Sequence, residues 1–123
     1  MARKLNPTPS SGPGDPLVSI VIPCYNAVPM IERCMRSCMA QSYRCVEVIL
    51  VNNNCTDHSI EMARTAVSGS SIPFRVTHCP QQGPNHARRA GFANATGKYI
   101  QWLDADDELK PDKIARQVAA LQI

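Results

Sequence analysis

The chain lacks the short motifs that assign many enzymes at sight. No Gly-x-Gly-x-x-Gly follows a β-like segment, which disfavours a dinucleotide oxidoreductase, and no Gly-x-x-x-x-Gly-Lys-Ser/Thr occurs, which excludes P-loop chemistry. A Gly-x-Ser-x-Gly nucleophile elbow is also missing. The six cysteines, at 24, 34, 38, 45, 55 and 79, include no Cys-x-x-Cys pair, so a zinc ribbon or thioredoxin-like site has no basis. No run approaches 18 apolar residues, so a membrane-spanning segment is not expected. The basic residues near Met1 are followed by Pro, Ser and Gly instead of an apolar stretch, unlike a secretory signal. A cytoplasmic chain with reduced, buried thiols is the expectation, at most lying at the inner face of a membrane. A formal charge of +3 without any block of like charges points away from nucleic acid as a partner.

What remains is a globular pattern of 123 residues, 44% of them hydrophobic, enough for one domain with its own core. Residues 1–16 carry four prolines among Ser and Gly and are expected to form a disordered tail, with the domain starting near Leu17. Residues 17–22 are apolar and β-branched and stop at Pro23, as in a buried parallel strand. Met30, Ile31, Cys34, Met35, Cys38 and Met39 then recur at helical spacing from about Pro29 to Ala40. A second strand over 46–51 ends at Asn52-Asn53-Asn54, and Thr56 or Asp57 can cap a helix running to Val67. A weaker strand over 74–78 precedes a helix from Gly83-Pro84 to about Ala95. A strand over 98–103 precedes a last helix near Pro111 with Ile114, Val118 and Leu121 inward. The alternation predicts an α/β fold with a mostly parallel sheet flanked by helices. In such sheets ligands bind beyond the carboxyl ends of the strands.

Polar clusters stand at those ends. Asp104 and Asp106 are separated by one residue, with Asp107 and Glu108 next. Converging carboxylates repel unless a cation intervenes, so the cluster is either a Mg²⁺ or Mn²⁺ site or a solvated acidic loop. Gly83-Pro84 opens a helix whose first amides favour phosphate, and Arg88 or Arg89 can add charge-assisted hydrogen bonds. Tyr25 offers a face for a base to stack on or is core, and Asn52 and Asn53 can meet a base edge or simply form a turn. His58, His78 and His86 show no metal spacing.

Four segments in order then resemble family 2 glycosyltransferases of the GT-A fold. Val18 to Asn26 is similar to their opening strand and loop, and Val51 to Asp57 to their Val-Asp-Asp-Gly-Ser-Thr-Asp segment. Gly83 to Gly91 resembles Gly-Pro-Ser-x-Ala-Arg-Asn-x-Gly, and Lys98 to Asp107 their metal-binding strand end. The resemblance implies a Rossmann-like GT-A nucleotide-binding half, a nucleotide-diphosphate-sugar donor of the UDP type, a divalent metal (Mn²⁺ or Mg²⁺), and inverting transfer to an acceptor that is glycan, lipid or protein. By the same resemblance Pro23 and Tyr25 line the nucleoside pocket, Asn53 stands where an Asp usually meets the base, Arg88 and Asp104 lie near the donor, and Asp106 ligates the metal. The chain departs from the pattern at Asn52-Asn53, where acids are usual, at Asn85 for Ser, and at Arg89 for Asn. Family members continue past the metal motif, so a truncated donor-binding half without its general base, inactive alone, is expected. The competing expectations are a non-catalytic binding module on the same fold and a phosphatase using Asp104, the latter disfavoured by Glu108 in its motif.

Overall fold

The computed structural model describes residues 2–3 and 14–121. Five strands form one sheet: β1 (Ala2–Arg3), β2 (Val18–Cys24), β3 (Val46–Asn52), β4 (Phe74–His78) and β5 (Tyr99–Trp102), in the order β1-β5-β2-β3-β4. The three pairings among β2 to β5, β2–β3, β2–β5 and β3–β4, are parallel, and β1 pairs antiparallel with β5. The helices are α1 (Met30–Met39), α2 (Ser59–Val67), α3 (Pro84–Asn94) and α4 (Lys113–Leu121). This is the α/β architecture expected from the alternation of periods.

The tail expected over residues 1–16 falls mostly outside the described residues. Within them, Ala2 pairs with Ile100 and Arg3 with Tyr99, and Pro16 is buried, its carbonyl accepting the Tyr43 hydroxyl. The first strand also runs two residues further than the proline suggested. Val21 accepts from Leu103 N on the β5 side, and Cys24 accepts from Asn53 N on the β3 side. The alternation turns the Pro23 nitrogen toward the β5 side, beyond the last β2–β5 pair at Val21 and Trp102. No ladder donor is missed there, so Pro23 is tolerated inside the strand.

Side chains alternate between two cores. Ile20, Ile22, Val48 and Leu50 pack with Ile31, Met35 and Cys38 of α1, Ala63 of α2 and Ile114 of α4. Val21, Ile49, Val51 and Ile100 pack on the opposite face against Ala87 of α3. Leu121, expected on the inner stripe of α4, is 47% exposed, leaving Ile114 and Val118 as its buried pair. None of the six cysteines forms a disulfide; Cys45 and Cys55 are only half-buried, whereas the other four are buried.

The helix α3 lies unusually close to the sheet because Gly91 faces it. A Cβ there would overlap Val21 Cγ1 and stand 3.0 Å from Val51 Cγ2. At the amino end of the sheet a buried carboxylate ties four elements together. Glu47, 3% exposed, accepts from Ser19 Oγ (2.6 Å), Arg75 Nη1 (2.8 Å), Thr96 N (2.8 Å) and Thr96 Oγ1 (3.0 Å). Ser19 Oγ in turn accepts from Gly97 N (2.8 Å). Burial alone would raise the Glu47 pKa, but the hydrogen bonds from Arg75, Ser19 and Thr96 and the Arg75 charge outweigh it and hold the carboxyl below its ordinary value.

Two outcomes follow from this packing. Gly91→Ala should lower unfolding stability by about 1–3 kcal/mol through overpacking, read from urea melts. Glu47 carries a lowered folded-state pKa, so its contribution is full above the unfolded value of 4.5 and fades as pH falls through the lower folded value. Glu47→Gln should remove about 1–3 kcal/mol at pH 7 and should flatten that part of the acid-denaturation curve.

Candidate functional site

The register sets Cys24 beside Asn52 and Asn52 beside His78, so the loops leaving β2, β3 and β4 emerge side by side. They are stitched by side chains. Asn26, at φ 47°, accepts from Thr56 N (2.8 Å) and Asp57 N (3.3 Å), and its Nδ2 donates to Thr56 Oγ1 (3.1 Å). Asp57 does not itself cap α2, whose N-cap residue is His58. Its carboxylate accepts from the Ser59 hydroxyl (2.6 Å) and Ser59 N (3.0 Å), and the hydroxyl bond leads in holding its pKa below the usual range. Ser59 Oγ accepts from Ala27 N (2.8 Å), closing the link back to the first loop.

A cavity of about 200 Å³ opens at this edge, lined by Pro23, Tyr25, Asn53, Gly83, Arg88 and Asp104, with Cys24, Gln82, Pro84 and Ala105 completing it. The five residues proposed from sequence to surround a nucleotide sugar are thus brought to one place. At that size the cavity is smaller than the roughly 300–1,000 Å³ of whole-ligand pockets. Larger hollows lie elsewhere, one of about 730 Å³ between β5 and α4 and one of about 620 Å³ along α1. Neither gathers the strand-end clusters, although Gln101 and Gln117 leave buried side-chain oxygens without a partner in the first.

The individual side chains divide into exposed and held groups. Tyr25 is 55% exposed, which excludes the core alternative. Gly83, at φ 129°, makes the turn into α3 that a side chain would strain, and Ala87 N closes the first helical bond onto its carbonyl. Helix geometry leaves the amides of Asn85 and His86 without an intrahelical acceptor, and the residues at the helix start, Gly83 and Pro84, line the cavity. Arg88 lines the cavity while Arg89 is exposed outside it; Arg88 Nη2 stands 3.9 Å from Asp104 Oδ1 and Nη1 3.4 Å from Asn85 Oδ1. These loose, solvent-exposed contacts contribute little stability and leave the guanidinium available.

Asn53 is different. It lines the cavity but is 3% exposed. Its Nδ2 donates to Cys79 O (3.0 Å) and Gln81 O (2.7 Å), while Oδ1 accepts from Gly83 N (3.0 Å) and Gln82 Nε2 (3.3 Å). Two donors and two acceptor sites are all that an amide has. The expectation that Asn53 meets a base edge therefore finds its hydrogen-bonding capacity already engaged within the protein. Asn52 Oδ1 likewise accepts from Cys55 N (2.9 Å), the turn-forming alternative.

Beside the cavity the carboxylates of Asp104, Asp106 and Asp107 converge, with ligand oxygens all within 4.8 Å of one another and exposed. Such a donor set of hard oxygens suits a divalent cation, so the residues fit the metal expected at Asp106. Sequence reasoning had not assigned Asp107 to it. Asp107 is brought back by a turn, its N–H donating to Asp104 O (3.0 Å), and the run of acids was the available signal. Helix α1 holds this turn: Arg33 Nη2 donates to Asp106 O (2.9 Å), and Ser37 Oγ accepts from Leu109 N (3.0 Å). Buried Gln41 bridges Lys110 O (2.8 Å) and Ile114 N (3.1 Å). Nothing in the sequence singles out Arg33 or Gln41, because their partners lie 69 to 73 positions away.

The family model described as glycosyl transferase family 2 matches residues 19–123. An uncharacterised glycosyltransferase of Haemophilus influenzae is 37% identical over 103 residues, which cover 84% of this chain and 41% of that protein. Among solved structures, the mannosyltransferase PcManGT of Pyrobaculum calidifontis, in complex with GDP-Man and Mn²⁺, superposes with a TM-score of 0.82 at 25% identity, over 100% of this chain and 36% of its own. The S. aureus TarS fragment in complex with UDP gives a TM-score of 0.78 at 20% identity, over 85% of this chain and 32% of its own, a likeness of fold. The chain spans well under half the length of the curated relatives it matches.

Proposed function

Because the chain belongs to glycosyl transferase family 2 and carries the GT-A fold, we propose that it holds the nucleotide-diphosphate-sugar donor of an inverting sugar transfer. The observation that carries this reading is the cavity at the strand ends, where Pro23, Tyr25, Arg88 and Asp104 meet beside the three-carboxylate turn. Tyr25 offers the base a half-exposed ring to stack on, and Pro23 forms the wall behind it. Arg88 and the first amides of α3 face the diphosphate, which they attract by charge-assisted hydrogen bonds and by the helix dipole. Asp106, with Asp104 and Asp107 beside it, would hold a divalent cation, Mn²⁺ or Mg²⁺. When bound, that cation supplies Lewis-acid neutralisation of the charge that develops on the departing diphosphate. The donor nucleotide is proposed to be uridine diphosphate, and the acceptor a hydroxyl of a glycan, lipid or protein.

Inversion requires a base to take the proton of that hydroxyl as it attacks the anomeric carbon from the face opposite the diphosphate. Asp104 lines the cavity, Asp106 and Asp107 converge with it beside the cavity, and we place all three on the donor side. We therefore assign the base and the acceptor site to sequence outside this chain, which then binds the donor without transferring the sugar.

Calorimetric titration of UDP in the presence of MnCl₂ tests the reading. Saturable binding that weakens by about tenfold or more when MnCl₂ is omitted is expected, and Asp106→Ala should lose the same increment. Equal binding by the unmutated chain and the variant in MnCl₂, or binding by the unmutated chain that does not change when MnCl₂ is omitted, would remove the metal role and favour a non-catalytic nucleotide-binding module. Purified chain incubated with UDP-sugars and simple acceptors should show no transfer; turnover would place the base within this chain.

A further inference from the structure

The cluster around Asn53 carries an inference that rests on the proposed function and deepens it. The segment Cys79–Gly83 leaves β4 and turns into α3, and it contains no regular structure of its own. Cys79 N donates to Asn52 O at its start (3.0 Å) and Asn54 Nδ2 to Pro80 O (3.0 Å), but the group that joins most of it is the Asn53 side chain, which contacts Cys79 O, Gln81 O, Gln82 Nε2 and Gly83 N at once. Two of these contacts need a donor and two an acceptor. An ionised aspartate has no donor, and it would place charge against two carbonyl oxygens. The amide at position 53 is therefore chemically required by the loop as folded.

The neighbouring side chain is then the one left facing a ligand. Gln82 lines the cavity and is exposed. Its Nε2 donates to Asn53 Oδ1 (3.3 Å), and its Oε1 accepts from Asn54 Nδ2 (3.1 Å), while Asn54, at φ 65°, also donates to Pro80 O (3.0 Å). The bonds to Asn53 and Asn54 together engage one N–H and one lone pair of the Gln82 amide and leave one of each. An amide held by two others at a cavity wall has lost most of its rotamer freedom before a ligand arrives. It presents both a donor and an acceptor, where a carboxylate presents acceptors only.

We propose that Asn53 is a positioning residue that pins the Cys79–Gly83 segment, and that Gln82, held by Asn53 and Asn54, is the side chain that meets the edge of the nucleobase. The two halves are separable by experiment. Hydrogen exchange of the nucleotide-free chain reads the positioning role, and UDP titration reads the contact. Asn53→Ala and Asn53→Asp should accelerate exchange across residues 79–83 by about tenfold or more without nucleotide present. Should Asn53→Asp fail to fold, Asn53→Ala carries the comparison. Gln82→Ala should leave backbone exchange at Cys79 and Gln81 unchanged and weaken UDP binding by about tenfold, the worth of one good base-edge contact. Wild-type exchange rates in both Asn53 variants would overturn the positioning role. Undiminished UDP affinity in Gln82→Ala would overturn the contact. Failure of the wild-type chain to bind UDP would overturn the proposed function and the contact together, with the exchange comparison still deciding Asn53.

Discussion

Parallel pairing of β2, β3 and β4 with level carboxyl ends is the constraint on which the rest of the molecule depends. Cys24, Asn52 and His78 stand in register, so three loops separated by more than twenty residues in the chain start within neighbouring ladder spacings. A slip of one residue would turn the two apolar faces of β3, Val48 and Leu50 on one side and Ile49 and Val51 on the other, toward the wrong helices. Burial on both faces therefore fixes the register, and the register fixes the site. The close approach of α3 through Gly91 adds the last condition, because it sets the height of the helix whose first turn faces the cavity.

Where strands end, backbone groups lose their ladder partners and need others. Here four asparagines supply them: Asn26 to Thr56 and Asp57, Asn52 to Cys55, Asn53 to the 79–83 segment and Asn54 to Pro80. Asparagine suits this work because it both donates and accepts, and because Asn26 and Asn54 tolerate positive φ. With the asparagine amides occupied in structure, the groups left open at the rim are the Tyr25 ring, the Arg88 guanidinium, the remaining N–H and lone pair of the Gln82 amide, and the three aspartates. The opposite end of the sheet is closed by Glu47, whose buried carboxylate joins β2, β3, β4 and the chain entering β5. A rigid end and a ligand-ready end are thus separated by the length of the strands.

Much of this was legible in the sequence. Two periods, two for strands and three to four for helices, sufficed to find every element from Val18 to Val118, and the rule that ligands meet parallel sheets at strand ends located the cavity. The exposed residues of the site, Tyr25, Arg88, Asp104 and Asp106, stood out because polar groups interrupt apolar runs at those points. What escaped were groups whose roles depend on distant partners. Glu47 looked like one residue of a strand, since Ser19, Arg75 and Thr96 lie 28, 28 and 49 positions away. The engagement of Asn53 by a loop 26 to 30 residues further on had no local signature. Pro23 misled in the other direction, because its tolerance depends on where β5 stops. The pairing of Ala2–Arg3 with β5 was likewise invisible in a stretch dominated by proline.

The central claim is that the strand-end cavity and the acidic turn together form a nucleotide-diphosphate site. A crystal structure of the chain grown with UDP and MnCl₂ tests it most directly. The expected result is anomalous manganese density at the Asp106 carboxylate, the diphosphate beside Arg88 and the base against Tyr25. Nucleotide bound instead in the hollow between β5 and α4, or manganese away from the Asp104–Asp107 turn, would contradict it.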